Sequence, residues 1–415
     1  MEESIKYKLA FLFALIFSTC SNQANAQTLD DYLQVAAENN PRLLSAYAEY
    51  EAAMQRAPQV SGLPDPTLTV GAFGGMETLM GTETANFQLM QMFPWFGTLG
   101  KKEDAALLMA EAKFQQYLDA RNDVLFRVKS MYAELYEVGK TIELQEENLQ
   151  ILNSYRELTL SGFRSGNSAM VNVVRIDIER DGASIEIELL RDVIKPLKAE
   201  FNAMLNREPD EIVEIQDTLI FAESKALVDE EIFFDDHPIV RQFEKQQESY
   251  QTQEEVARKE SLPMLGLGLE YTMFSKSPMA MEGMNGRDML MPMVSVSLPI
   301  FRKKYKAMGK EAEFMATAME QEQQMQKNEL RSQYERTQFE IKRSGMLIDL
   351  YNRQIKSSEQ ASSLLISAFG TATGSFDEVL RMNQDIIMLK TQRLNAIRNG
   401  VTAQAKMDYL SSKTE

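Results

Sequence analysis

Residues 262–305 read LPMLGLGLEYTMFSKSPMAMEGMNGRDMLMPMVSVSLPIFRKKY, and the fold is decided there. Leu265, Leu267, Leu269, Tyr271 and Met273 alternate with Gly266, Gly268, Glu270 and Thr272; Val294, Val296 and Leu298 alternate with Ser295 and Ser297. A period of two makes a strand with one apolar face, so the segment predicts two strands joined by a Gly/Met-rich loop. After Phe301 the period changes. Tyr334, Ile341, Ile348 and Ile355 recur every seventh residue, and no proline interrupts the chain from Arg302 to Phe369. That spacing predicts a coiled-coil seam on a helix able to extend about 100 Å at roughly 1.5 Å per residue.

The first half of the chain repeats this order. Leu63-Pro64 before TLTVGAF answers to Leu262-Pro263, and Asn40-Pro41 answers to His237-Pro238. Phe93-Pro94-Trp95-Phe96 answers to Leu298-Pro299-Ile300-Phe301, and Phe163 with Val173-Val174 matches Phe369 with Val379-Leu380 at a constant offset of 206. The first-half strands are weaker, with Leu68, Val70 and Ala72 in one and Phe87 and Leu89 in the other. Val124, Val128, Met131, Leu135, Val138, Ile142, Leu149 and Leu152 then supply a helical stripe. An internal duplication follows. Repeat 1 covers 27–204, with a β-hairpin at 65–93 and a helical hairpin at 100–204. An acidic, aperiodic connector covers 205–236. Repeat 2 covers 237–415, with hairpins at 264–298 and 302–412. The strands fit a small soluble sheet or the lipid-facing staves of a barrel, and the seams fit an ordinary helical bundle or long hairpins.

Composition narrows the function. Of 415 residues, 44% are hydrophobic and 25% charged, which fits a folded chain. Forty-four basic against sixty-one acidic residues give a net charge of −17, the wrong sign for a nucleic-acid footprint. One cysteine, Cys20, and one histidine, His237, exclude intrachain disulfides, Cys/His zinc clusters and any Ser-His-Asp unit not built on His237. His237, ahead of Pro238, reads as a capping or surface residue. Paired-carboxylate spacing and a phosphate loop are both missing, so an enzyme is not expected. Residues 1–26 carry Lys6 and Lys8, an apolar run from Leu9 to Phe17, and Ala24-Asn25-Ala26, the pattern of an export signal cleaved after Ala26. Lipidation at Cys20 is the alternative; Phe17-Ser18-Thr19 makes a poor lipobox.

TLDDYLQVAAENNPRLLSAYAEYEAA, the corners FPWFGTLGKK and LPIFRKK, and the segments GFRSGNSAMVNVV and AFGTATGSFDEVL at the helical turns resemble the TolC-like outer-membrane efflux protein family. The resemblance runs from Thr28 to about Leu410, and its short loops are similar to the heavy-metal, CzcC- or CusC-like branch. It implies a mainly α protein with a transmembrane β-barrel. Four strands cannot close a barrel in lipid, so the barrel must be shared between chains. The family's homotrimer, whose twelve-strand barrel continues into a twelve-helix coiled-coil tunnel, is what the resemblance implies. The connector and Asn40 to Ala57 then form an equatorial belt. The implied activity is that of a passive exit duct of a tripartite efflux pump in the outer membrane, with no cofactor. Its partners are a periplasmic adaptor, an inner-membrane pump of the resistance-nodulation-division type and outer-membrane lipid. Metal cations are the favoured cargo and drugs the next. A type I polypeptide secretion duct and a periplasmic coiled-coil scaffold are the competing functions.

The same resemblance assigns sites. The helical turns Arg164, Ser165, Gly166, Asn167 and Ser168, and Gly370, Thr371, Ala372, Thr373, Gly374 and Ser375, correspond to the adaptor-docking tips. Glycine there allows left-handed turn geometry. The first acidic gate position falls on Glu378, with Asp377 adjacent. Arg381 stands where the family has a second acid, so an ion pair from Arg381 to Glu378 or Asp377 is expected to lock the closed end. Phe93, Trp95 and Phe96 suit a membrane interface. Thioethers are soft ligands, and Met279, Met281 and Met284 in the second loop are candidates for a soft metal ion, with flexible apolar packing as the competing reading.

Overall fold

The computed structural model describes residues 28–166, 168–215, 219, 221, 234–371 and 373–412. The leader with Cys20, most of the connector after Glu214, and the turn residues Asn167 and Ala372 lie outside them. The chain runs α1 (Leu29–Asn39), α2 (Pro41–Met54), α3 (Arg56–Ser61), β1 (Thr67–Thr78), β2 (Gly81–Phe93), α4 (Thr98–Arg164), α5 (Met170–Met204), α6 (Pro238–Glu260), β3 (Met264–Ser275), β4 (Met289–Ser297), α7 (Arg302–Gly370) and α8 (Phe376–Leu410). The long helices α4 and α7 have 67 and 69 residues, as their uninterrupted heptads predict.

Two compact units form. One gathers the residues up to Pro41 with Asn122–Leu227 and Tyr334 onward; the other holds Arg42–Arg121 and Val228–Gln333. In the first, the stripe of α4 is buried at Val124, Val128, Tyr132, Leu135 and Leu152. Tyr32 of α1 packs edge-on against Phe201 at 5.0 Å, and its hydroxyl donates to the carbonyl of Glu214, tying the start of the connector to the helices. Thr28 opens α1 with a capping box: its hydroxyl accepts from Asp31 N–H while the Asp31 carboxylate accepts from Thr28 N–H at 2.8 Å. Those bonds hold the Asp31 carboxyl below its ordinary pKa.

The second unit contains one antiparallel sheet in the order β1-β2-β3-β4. The two predicted hairpins are therefore joined, because β2 pairs with β3 from Thr82↔Ser275 to Phe93↔Leu265. The first hairpin is tighter than its sequence suggests. β1 continues through the glycine-rich stretch with a register shift between Ala72 and Met76, Gly75 at φ 92° relieving the bulge, and the turn shrinks to Leu79-Met80. The second loop matches expectation and is pinned by Asn285, which exchanges two 2.9 Å bonds with the backbone of Ser277.

Directly paired residues share a face of the sheet. The register therefore aligns Leu68, Leu89 and Leu269 in one row, Val70, Phe87, Tyr271 and Leu290 in the next, and Leu267–Val294 and Leu265–Val296 beyond. Every one of these side chains is exposed, Val294 at 74%. Among the described residues, Leu68, Leu267 and their neighbours thus have nothing in their own chain to pack on. No helix among the described residues is long and apolar enough to cross a membrane.

His237 differs from expectation in one respect. It caps α6, its Nδ1 accepting from Ile239 N–H at 3.3 Å, but it is fully buried and is no surface residue. The Asn40-Pro41 match behaves alike: Asn40 is buried, donates to the carbonyl of Met204 at 2.7 Å, and Pro41 opens α2.

Candidate functional site

The two helical hairpins of the first unit end in turns built on one plan. Ser168 N–H reaches back to the carbonyl of Gly162 at 3.1 Å, and Gly374 N–H reaches back to Ala368 at 3.1 Å. The two bonds sit at the offset of 206 that the sequence gives for the surrounding phenylalanines and valines. A close approach accompanies each bond, and the small residue swaps sides. A Cβ on Gly162 would stand 3.0 Å from the Ser168 Cβ, while one on Gly374 would stand 3.0 Å from the Ala368 Cβ and 3.1 Å from its carbonyl carbon. Among the described residues of the two turns, left-handed backbone occurs at Gly166, at φ 78°. Gly370 closes α7 and Gly374 serves the close approach, so the left-handed role expected of both is corrected.

The tip hydroxyls are engaged within their own turns. Ser165 Oγ donates to Gly162 at 3.0 Å, Thr373 Oγ1 to Ala368 at 3.1 Å, and Thr371 and Thr373 hydroxyls meet at 3.0 Å. Below the tips the hairpins share a core of Leu152, Ile176, Ala183, Phe376, Val379 and Leu380, with Tyr155 and Phe369 against it. The repeat breaks symmetry at this point. Leu380 is buried, whereas its counterpart Val174 is 48% exposed, so only the second hairpin turns both residues of the pair inward.

Around this core the charges are specific. Arg175 of α5 and Arg381 of α8, themselves 206 residues apart, clamp one carboxylate. Arg175 Nη1 lies 2.5 Å from Asp377 Oδ1, and Arg381 Nη2 lies 3.0 Å from Asp377 Oδ2. The expected pairing of Arg381 is thus with Asp377, and Arg175 is the member that sequence reasoning missed, although the repeat offset points directly to it. A cleft of about 250 Å³ opens here between Arg175, Ile178, Glu179, Asp377, Leu380 and Arg381. Ser375 caps α8 by accepting from Asp377 N–H at 3.3 Å, and Asp377 and Glu378 occupy its first turn, where carboxylates complement the helix dipole. Two residues along α5 from Arg175, Asp177 is held by Arg156 at 2.7 Å with Arg180 assisting at 3.2 Å, so the Asp177 carboxyl titrates below its ordinary range. Burial pushes the neighbouring Tyr155 phenol upward, against a hydrogen bond with Ser362.

At the sheet, Phe93 ends β2, and Trp95 and Phe96 stack edge-on at 6.0 Å with both rings exposed. The corresponding Ile300 and Phe301 are at least as exposed and belong with them; the corner match in the sequence was the available signal. Met279, Met281 and Met284 stand exposed in the second loop.

The chain thus combines a four-stranded antiparallel sheet, apolar and exposed on one face, with helices of 67 and 69 residues. The outer-membrane channel OprN superposes with a TM-score of 0.78 at 16% identity, over 93% of this chain and 90% of its own. The outer membrane protein VceC of Vibrio cholerae gives 0.76 at 15%, over 92% and 96%, and the transmembrane channel CusC gives 0.78 at 13%, over 92% and 91%. These likenesses show a shared fold. A comparison with curated proteins finds no match. Residues 32–195 match the model of the outer membrane efflux protein family.

Proposed function

We propose that this chain is one protomer of a homotrimeric exit duct in the outer membrane, conducting substrates passively from an inner-membrane pump and a periplasmic adaptor to the outside. The sheet carries this reading. β1 and β4 are its open edges and its apolar face is bare, a combination that is stable in lipid only when neighbouring chains supply the missing strands. Three copies make a twelve-strand barrel. A second observation supports the assembly: α5 has a buried stripe at Val173, Ile176, Ala183 and Ile187 and a separate exposed one at Val171, Val174, Ile178, Ile185 and Leu189. A helix with two apolar stripes has a partner on each, and a second copy fits the outer one.

The turns at Arg164–Ser168 and Gly370–Ser375 would receive the adaptor, and the clamp of Arg175 and Arg381 on Asp377 would hold the tunnel end closed. Export through cleavage after Ala26, and metal cations ahead of drugs as cargo, complete the reading. Fractionating the envelope and sizing the detergent-solubilised particle by light scattering tests it. A detergent-dependent trimer from the outer membrane is expected; a monomer or dimer released into aqueous buffer overturns it.

A further inference from the structure

The polar face of the sheet holds a group of thioethers. In one row Met90 stands opposite Gly268 and Gly268 opposite Met293; in the next, Met92 stands opposite Gly266 and Gly266 opposite Ser295. The middle strand contributes no side chain to either row, which leaves room for the β2 methionines to lean over β3. They do so. Ser295 Oγ, reaching in from β4, lies 3.6 Å from Met90 Sδ and 3.7 Å from Met92 Sδ. A Cβ on Gly266 would stand 2.7 Å from Met92 Sδ and 3.2 Å from Met90 Sδ and would overlap Ser295 Oγ, and one on Gly268 would stand 3.0 Å from Met90 Sδ. Both sulfurs therefore border a single point above Gly266.

The rest of this face carries Thr67, Thr69, Asn86, Gln88, Glu270 and Thr272, with Met289 and Met291 of β4 at its edge. The Ser295 hydroxyl has one proton and can serve only one of the two sulfurs at a time, weakly. Thioethers are soft, uncharged ligands that select soft monovalent ions over hard or borderline ones. Among the described residues no group of three or more His, Cys, Asp or Glu is placed to compete for a metal.

We propose that Met90 and Met92, with Met293 in the row of Met90, bind a soft monovalent cation, Cu(I) or Ag(I), on the polar face of the sheet. The site lies within one chain and stands without the duct; in a duct, that face lines the lumen and the site deepens the cargo reading toward soft cations. Neutral ligands leave the ion its charge, so binding is reversible, as a station along an exit path requires.

The test is calorimetric titration of the full-length, detergent-solubilised protein with silver nitrate in chloride-free buffer. Met90→Leu with Met92→Leu keeps side-chain volume and is expected to weaken the tightest Ag(I) site at least tenfold with elution volume unchanged. Met279→Leu, Met281→Leu and Met284→Leu together are expected to leave it intact. Equal Ag(I) binding by wild type and the double variant overturns the proposal, as does loss of the site in the loop variant alone. If the double variant does not fold, each single variant carries the test, and unchanged affinity in both overturns it. Silver binding through these sulfurs by a protein that forms no trimer would retain this site and remove the duct.

Discussion

Leu269 offers the sharpest test of what covers the sheet. It lies in a row with Leu68 and Leu89, is 45% exposed, and sits mid-strand in β3; Gln88, one residue along β2 from Leu89, points to the opposite face beside Glu270. The two positions differ in face and hardly in depth. A lysine facing lipid near the bilayer midplane costs about 2–4 kcal/mol, so Leu269→Lys in three chains costs about 6–12 kcal/mol, comparable to the whole stability of a domain. Gln88→Lys, on the polar face, is expected to change stability by less than about 0.5 kcal/mol. A third variant separates lipid from a protein partner. Leucine and phenylalanine partition into a bilayer alike, so Leu269→Phe is neutral in lipid, whereas overpacking a protein interface costs about 1–3 kcal/mol. Urea unfolding in lipid vesicles, with the yield of trimer in the outer membrane, reads all three. If Leu269→Lys is as harmless as Gln88→Lys, the face meets water and the barrel argument fails. If Leu269→Phe is as damaging as Leu269→Lys, the face is a protein interface.

Phe376→Ala empties the contact with Phe369 at 5.1 Å in the tip core and should cost about 3–5 kcal/mol in chemical unfolding, provided the two hairpins unfold together. Asp377→Asn removes the carboxylate that Arg175 and Arg381 share; because such partly exposed pairs contribute under about 1 kcal/mol, stability should hardly change while single-channel conductance in planar bilayers rises, and an unchanged conductance removes the lock. Arg156 depresses the Asp177 carboxyl, so its contribution to stability is complete above about pH 4 and is lost as pH falls below; Asp177→Asn should flatten the unfolding midpoint in that window, and a retained slope assigns it elsewhere. Gly166→Asn, whose side chain tolerates left-handed backbone, should keep efflux, whereas Gly166→Arg with Thr371→Arg should abolish resistance with trimers intact; full resistance in the arginine variant ends the docking assignment.

The parts of the fold that were legible are those written by periodicity. Alternation at Leu265–Met273 and Val294–Leu298 gives the exposed face of β3 and β4 directly, because each residue's side depends only on its place along the strand. The proline-free heptads give α7 to within a residue of its end. A period of two says nothing about neighbours, however, and the pairing of β2 with β3 joins residues almost 200 positions apart for which no local signal exists. The methionine group was hidden for that reason. Met90-x-Met92 and Gly266-x-Gly268 are each visible in the sequence, but only the register places one over the other. The tip clamp was hidden by a different cause: the 206-residue step from Phe163 to Phe369 also relates Arg175 to Arg381, but a step along the chain does not say that both reach one acid. The repeat turns one charge into two, and both copies fall on the one acid, Asp377, whose own counterpart is the apolar Val171. Duplication therefore supplies the cations symmetrically and the acceptor asymmetrically. A tip built this way places both arginines on a single carboxylate, and one substitution at Asp377 releases both at once.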